Sequence, residues 1–113
     1  MTVIYKILRD EEYRALQELG ETNGAPIDVA DGYIHFSTAE TVAETAAKYF
    51  DGIQDLKLLA YDDSTLGDAL KYEPSRGGQL FPHLYAALRM SDALWVKDLP
   101  FENGMHQFPA GLS

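Results

Sequence analysis

Two short segments of the sequence place histidines beside hydroxyl and aromatic side chains, and these residues are the first candidates for chemistry. In the first segment, His35 lies between Ile34 and Phe36. The period of two in a strand puts Ile34 and Phe36 on the core face, and Tyr33, His35 and Ser37 on the opposite face. A row of phenol, imidazole and hydroxyl groups suits a polar ligand. The alternative is a solvated strand face in which Ser37 only caps the next helix.

The start of that next helix adds two candidate ligand-binding residues, Ser37 and Thr38. Either residue can open the helix, and Ser37 with Glu40 three positions later fits a capping box. Because backbone N–H groups at a helix N-terminus attract anions, we expect Ser37 and Thr38 to contribute to binding.

The second segment contains Phe81, His83 and Tyr85, which share one face if the chain is extended. Imidazole transfers protons near neutral pH, so His83 is a candidate catalytic residue with Tyr85 beside it. The alternative is a histidine that hydrogen-bonds the backbone at the turn that Pro82 favours. His106, in the C-terminal tail, is expected to be exposed and without a role.

Two further residues are candidates at positions where chains often turn. Glu73 ends a strand-like run and could act as a general base or bind a ribose, or it could be a solvated surface residue. Arg76 stands beside Gly77-Gly78, whose backbone N–H groups could bind an anion, although a glycine pair is also an ordinary turn. The spacing of histidines and carboxylates follows no metal-binding motif, so no metal site is predicted.

Composition excludes several classes of function. The chain has 113 residues, a formal charge of −9 and nine basic residues without a run, so binding to nucleic acid or to an anionic membrane is not expected. The absence of cysteine excludes disulfides, thiolate nucleophiles and cysteine-bound zinc. No Walker loop, Rossmann glycine pattern or nucleophile elbow occurs. We expect one domain, residues 1–113, located in the cytoplasm because no signal peptide or membrane span is predicted.

Hydrophobic periodicity predicts the elements that must position these residues. The predicted strands are Val3–Leu8, Tyr33–Ser37, Leu56–Tyr61, Leu70–Glu73 and Ala93–Leu99. One helix is predicted to begin with Asp10 as its cap and to stop at Gly20, and a second to run from Ser37 or Thr38 to Gly52. The stretch Glu21–Gly32 is predicted to be a loop, Phe81–Leu88 is ambiguous, and Asn103-Gly104 predicts a tight turn. This order indicates an α+β fold with two main helices.

Both histidine segments resemble motifs of a bacterial domain-of-unknown-function family, number 952. The run Asp31–Thr38 is similar to the family's G-[FY]-I-H-hydrophobic-S motif, and Phe81–Tyr85 is similar to its F-P-H-L-Y box. Ile4–Ile7, Leu58–Tyr61 and Tyr72-Glu73 fit as well, so the resemblance covers nearly the whole chain. It implies an ADP-ribosyltransferase-like fold with a bent, split β-core.

That resemblance also implies a cofactor and roles for individual residues. The His35-Phe36-Ser37 step looks like the H-L-S step of RNA 2′-phosphotransferases, which use the same fold with NAD. By this resemblance His35 and Ser37 would hold a dinucleotide. In a hypothetical NAD-cleaving reaction at this cleft, Tyr85 would stack on a ring and Glu73 or His83 would act as base. The implied function is binding of a small polar or nucleotide-like ligand, with NAD-dependent ADP-ribosyltransferase-like activity as its enzymatic form.

A non-catalytic protein-interaction domain is the alternative from another functional class. It would use an exposed apolar patch around Trp95 and Phe101 to contact a partner protein.

Overall fold

The computed structural model describes residues 2–112, apart from the side chain of Arg76, and shows a mixed α+β architecture. The strands are β1 (Val3–Leu8), β2 (Glu21–Thr22), β3 (Ile34–His35), β4 (Leu56–Asp62), β5 (Leu70–Pro74), β6 (Leu80–Leu84), β7 (Leu88–Arg89), β8 (Ala93–Leu99), β9 (Phe101–Glu102) and β10 (Met105–His106). The α-helices are α1 (Asp10–Leu19), α2 (Pro26–Asp31) and α3 (Val42–Tyr49). Short 3₁₀ segments lie at Asp63–Ala69, Arg76–Gly78 and Met90–Asp92. The predicted α+β class is confirmed.

Two three-stranded antiparallel sheets form the frame, one in the order β1-β4-β8 and the other in the order β3-β6-β5. They meet where the chain leaves β3, because Tyr5 and Ser37 form an isolated antiparallel bridge. Each of these two residues donates its N–H to the other's carbonyl at 2.8 Å. Strands β2 and β7 form one small pair and β9 and β10 another. The frame is therefore a split sheet whose two halves are linked by this backbone bridge.

The first sheet is buried on both faces, as its nearly continuous apolar strands predict. Alternate residues of β1 and β4 enter two core clusters on opposite faces. One cluster includes Leu16 of α1, and its members from β1 and β4 are Ile4, Leu8, Leu59 and Tyr61. The other includes Val42 and Ala46 of α3, and its strand members include Tyr5, Ile7, Leu58 and Ala60. Helices α1 and α3 thus cover opposite sides of one sheet.

The prediction of a loop over Glu21–Gly32 is wrong, because this stretch contains β2 and α2. Helix α2 has only six residues and no helical apolar period, so hydrophobic patterning gave no signal for it. The start of this helix is stabilised within its own first turn, because the Ala25 N–H donates to the Asp28 carboxylate at 2.8 Å. Helix α1 also differs slightly, because Arg9 precedes it and Asp10 is its first residue.

The predicted start of the second long helix is wrong as well. Helix α3 begins at Val42, with Thr41 as the residue before it, and no capping box of Ser37 and Glu40 forms. The bridge to Tyr5 keeps Ser37 extended. The chain then turns so that the Thr38 carbonyl accepts from the N–H of Val42 at 3.0 Å.

Two other parts of the chain agree with the sequence-based prediction or resolve what it left ambiguous. The ambiguous run Phe81–Leu88 is extended through β6, turns, and begins β7 at its last residue. Asn103 and Gly104 form the tight turn between β9 and β10, with φ of 54° and 80°. No helix within residues 2–112 is long and apolar enough to cross a membrane.

Candidate functional site

Strands β3 and β6 bring the two histidine segments together. His35 and His83 are direct partners in the antiparallel register, and their ring centroids lie 5.5 Å apart in an edge-on arrangement. The Phe36 N–H donates to the Pro82 carbonyl at 2.9 Å and extends the pairing. Ile34 and Phe36 are each only 2% exposed and face the core, as the strand period predicts.

The Tyr33 ring covers both imidazoles. Its centroid lies 4.7 Å from that of His35, 4.2 Å from that of His83 and 5.2 Å from that of Tyr85. Tyr85 is 44% exposed, whereas His83 beneath Tyr33 is 3% exposed. We call these four residues, together with Glu73, the histidine cluster.

Glu73 connects two members of the cluster through one carboxylate oxygen. Its Oε1 accepts from the Tyr85 hydroxyl at 2.7 Å and lies 2.8 Å from Nδ1 of His83. The hydrogen bonds from Tyr85 and His83 lower the pKa of Glu73, and the same carboxylate raises the pKa of Tyr85 to about 12. An ionised carboxylate only accepts, so Nδ1 of His83 carries the hydrogen and its Nε2 is the nitrogen left for proton exchange.

His35 has a carboxylate at each ring nitrogen. Its Nδ1 lies 2.6 Å from Oδ1 of Asp28, and its Nε2 lies 3.0 Å from Oδ2 of Asp31. Since ionised carboxylates accept hydrogen bonds, each ring nitrogen that carries a hydrogen has an acceptor in this arrangement. The Asp31 side chain is 41% exposed and the Asp28 side chain is inaccessible. The contact at Nδ1 is therefore fixed, and the contact at Nε2 lies at the surface.

Asp28 lies below the cluster and binds four donors. Its oxygens accept from Lys6 Nζ at 2.8 Å, from the Ala25 N–H at 2.8 Å, and from both the backbone and Nδ1 of His35. Burial by itself raises the pKa of Asp28, but the hydrogen bond from His35 and the charge of Lys6 outweigh it and lower that pKa to about 2. Asp28 is therefore an anion at neutral pH.

Lys6 is the counter-charge of Asp28 inside the fold. It is 6% exposed, and its ammonium also donates to the His35 carbonyl at 2.9 Å. Burial lowers the pKa of Lys6, while the Asp28 carboxylate acts in the opposite direction. A lysine thus ties β1 to the backbone of the strand that carries His35.

Sequence reasoning missed Lys6, Asp28 and Asp31 as parts of the site. The available signal was Lys6, a lone charge in the apolar strand β1. A buried ammonium requires a paired anion, so this position implied a carboxylate somewhere in the fold. Nothing in the sequence pattern indicated that Asp28, in a stretch predicted to be a loop, was that partner.

Two predicted ligand-binding residues, Ser37 and Thr38, lie outside the histidine cluster. The Ser37 side chain is buried, and its hydroxyl donates to Oγ1 of Thr45 on α3 at 3.1 Å. The Thr38 N–H donates to Oγ1 of Thr41 at 2.9 Å, which holds the turn before that helix. Both residues therefore support the start of α3. The side chain of Arg76 lies outside the described residues.

A cleft of about 340 Å³ adjoins the cluster and shares Tyr33 and Tyr85 with it. It opens between α2 and the turn after β6, where Val29 and Ala86 form part of its walls. No lysine or arginine occurs among the described residues that line it. Within residues 2–112, apart from the Arg76 side chain, no three histidine, aspartate or glutamate side chains are placed to ligate one metal ion.

The other residues singled out in the sequence lie outside the histidine cluster. Trp95 and Phe101 are half-buried, and the interaction patch expected around them stays a prediction. Trp95 packs against Tyr5 with centroids 6.0 Å apart, and Phe101 packs against His106 at 4.9 Å. The expectation for His106 was wrong, because this side chain is 8% exposed and its Nε2 donates to the Ile53 carbonyl at 3.2 Å.

Comparison with known proteins places the chain among uncharacterised relatives. A model of the family described as "Protein of unknown function (DUF952)" matches residues 7–96. The X-ray structure of protein CC0527 from Caulobacter crescentus is 46% identical, with a TM-score of 0.90 and 94% of each chain covered. The solution NMR structure of CC0527 is 45% identical, with a TM-score of 0.84 and coverage of 94% of this chain and 91% of that chain. No curated protein matches the chain.

Proposed function

This chain belongs to the DUF952 family of proteins of unknown function, and we propose that its histidine cluster binds a small polar ligand of nucleotide-like shape. The observation that carries the proposal is a pair of histidine–carboxylate contacts facing each other beneath one tyrosine. His35 pairs with Asp28, His83 pairs with Glu73, and Tyr33 lies over both rings. The predicted family membership is confirmed, and the ligand is our proposal.

The side chains of the cluster suit a planar ring that carries hydroxyl groups. The faces of Tyr33 and Tyr85 offer stacking area at the surface. The carboxylates of Glu73 and Asp31 are partly exposed and accept hydrogen bonds from ligand hydroxyls or amides. A ring with a sugar substituent satisfies both requirements.

The cluster also has the parts of an acid–base site. Each histidine is oriented by a carboxylate at Nδ1, which directs its proton exchange to Nε2. A histidine ring that carries hydrogens on both nitrogens can donate a proton, and one with only Nδ1 protonated can accept a proton at Nε2. The two rings are 5.5 Å apart, and His35 is the partly exposed ring that a ligand would contact, while His83 lies behind it beneath Tyr33.

An NAD-dependent ADP-ribosyltransferase-like activity is the enzymatic form of this proposal. The split of the frame into two sheets, joined at Tyr5 and Ser37, supports the fold that the resemblance implies. The cluster fits the ring and ribose of a nicotinamide nucleoside. The described cleft has no basic side chain for the pyrophosphate of NAD, so that half of the cofactor does not fit it. The proposal therefore depends on the ring-and-sugar end of the ligand.

A thermal-shift titration with NAD, ADP-ribose and nicotinamide tests the proposal. A ligand at a hundred times its Kd stabilises the fold by about 2.7 kcal/mol, which raises Tm by several degrees in a domain of this size. We expect nicotinamide, the compound of the three without a pyrophosphate, to give a shift in the wild type that is lost in His35→Ala and reduced in Tyr85→Ala.

Tyr72→Ala is the matched control. Tyr72 is 40% exposed, donates its hydroxyl to Asp63 at 2.9 Å, and lies on β5 one residue from Glu73, so its side chain faces the opposite side of the sheet. The ligand-induced shift should survive in this variant. No shift with any of the three compounds, or an equal shift in His35→Ala, would show that the cluster is not a binding site.

A further inference from the structure

We infer that the cleft beside Tyr33 selects a nucleoside-sized ligand that carries no phosphate. The inference rests on the proposed function and narrows the class of ligand for the same site. It depends on the size of the cleft, the chemistry of its walls and the charges at its edge.

The volume of the cleft matches a ligand with one ring and one sugar. At about 340 Å³ the cleft lies near the lower end of the range for small-molecule pockets, which is roughly 300–1,000 Å³. It is continuous with the histidine cluster through Tyr33 and Tyr85. A ligand can therefore place its planar part in the cleft and its hydroxyl groups against the cluster, whereas a dinucleotide would extend beyond both.

The walls of the cleft are neutral. Val29, Ile34, Leu84 and two alanines after β6 contribute apolar surface, and the polar contributions come from Asn23 and the two tyrosines. The Asp28 carboxylate behind the wall is inaccessible and already bound to Lys6. Neutral walls suit an uncharged ring and give a phosphate no counter-charge.

The charges at the edge oppose an anion. Asp31 and Glu73 present partly exposed carboxylates on either side of the tyrosines. Among the described residues nearby, Lys6 is buried and paired with Asp28, and Lys71 is the register partner of His83 on β5; neither lines the cleft. A phosphate in the cleft would lose hydration without gaining a charged donor from its walls, which disfavours its binding.

Isothermal titration of the wild type with matched pairs tests this inference. The pairs are adenosine with AMP, and nicotinamide riboside with nicotinamide mononucleotide. We expect at least one nucleoside to bind, and its 5′-monophosphate to bind at least tenfold more weakly. A monophosphate that binds as tightly as its nucleoside would overturn the inference while leaving the proposed function standing. If none of the four compounds binds, and NAD, ADP-ribose and nicotinamide give no thermal shift, the proposed function and this inference are both wrong.

Two variants locate the ligand in the cleft. Ala86 is exposed on the cleft wall, so Ala86→Trp should fill the cleft and weaken nucleoside binding at least tenfold. Ala15 is an equally simple exposed position on α1, and Ala15→Trp should leave binding unchanged. Val29 is exposed, so Val29→Arg adds a positive charge to the cleft wall. The difference in affinity between a nucleoside and its monophosphate should be smaller in this variant than in the wild type. Unchanged nucleoside binding in Ala86→Trp would place the ligand elsewhere and refute the inference.

Discussion

Replacing Asp28 by asparagine should strongly destabilise the fold, because this carboxylate holds a buried charge and a site histidine at once. Asp28 is 1% exposed and accepts from Lys6, from the Ala25 N–H and from two nitrogens of His35. An asparagine keeps one acceptor oxygen, but its NH₂ group is itself a donor and cannot accept from the N–H groups around it. The Lys6 ammonium is left buried with only the His35 carbonyl as a partner.

Two independent arguments give the size of the effect. The pKa of Asp28 is about 2 against an ordinary value of 3.8, a difference that corresponds to about 2.5 kcal/mol of stability at neutral pH. Breaking a buried ion pair from one side costs about 3–5 kcal/mol, since the remaining charge is uncompensated. The first figure counts only the loss of charge on Asp28, so it is a lower bound. We expect Asp28→Asn to lose about 3 kcal/mol or more.

The dependence on pH separates this effect from simple loss of packing. The pKa of Asp28 is lower in the folded chain, so its contribution is fully present above about pH 4 and is lost as the pH falls through about 2. Urea denaturation near neutral pH and at about pH 2 should therefore show the gap between wild type and Asp28→Asn shrinking in acid. Glu73 also has a lowered pKa, but it is present in both proteins and its contribution cancels.

Lys6→Met provides the matched partner for a double-mutant cycle. Alone it leaves Asp28 with three remaining donors and should cost about 1–3 kcal/mol. Combined with Asp28→Asn it removes both charges, so the double variant should be more stable than the sum of the single costs predicts by about 2 kcal/mol. A value within about 1 kcal/mol of wild type for Asp28→Asn, with an unchanged acid slope, would refute the reasoning.

Two further predictions concern the surroundings of the same residues. Gly24 has φ of +98°, and a Cβ there would overlap the Asp28 side chain, whereas Gly32 has φ of +85° and open space around it. Gly24→Ala should therefore cost at least about 2 kcal/mol more than Gly32→Ala in urea denaturation, and equal costs would contradict the close approach to Asp28. Glu73→Gln should lower the pKa of Tyr85 from about 12 towards its ordinary value of 10.0, since the negative acceptor is removed. A phenolate absorbance titration with Tyr85→Phe as reference measures this, and an unchanged titration would argue against the Glu73 contact.

Local pattern was sufficient for the elements that bury apolar surface. The strands β1, β4 and β8 are long apolar or alternating runs, and their predicted bounds agree with the structure to within one residue. Periodic pattern failed where individual polar contacts decide the conformation. Helix α2 begins with a local hydrogen bond from the Ala25 N–H to the Asp28 side chain, and the extended state of Ser37 depends on its tertiary bridge to Tyr5. Neither contact leaves a periodic signal in the sequence.

For the candidate site, too, local pattern predicted some features and missed those that depend on the whole fold. Strand parity correctly placed His35 opposite Ile34 and Phe36, and it put His83 on the same face as Tyr85, which shares its Glu73 contact. Only the register between β3 and β6 shows that the two histidines are partners, because pairing of distant strands is set by the whole fold. The roles proposed for these residues, and for Ser37 and Arg76 as ligand contacts, stay predictions.

The position of Lys6 and Asp28 argues for a role in orientation more than in stability. A buried ion pair is rarely more stable than apolar residues of similar size, because each charge must lose its hydration. The partial recovery expected of the double variant follows from that rule. The pair does something that apolar residues cannot, since Asp28 fixes Nδ1 of His35 while Lys6 holds the carbonyl of the same residue. The imidazole is thus fixed from below by the core, and its Nε2 is the part presented to Asp31 and to a ligand at the surface.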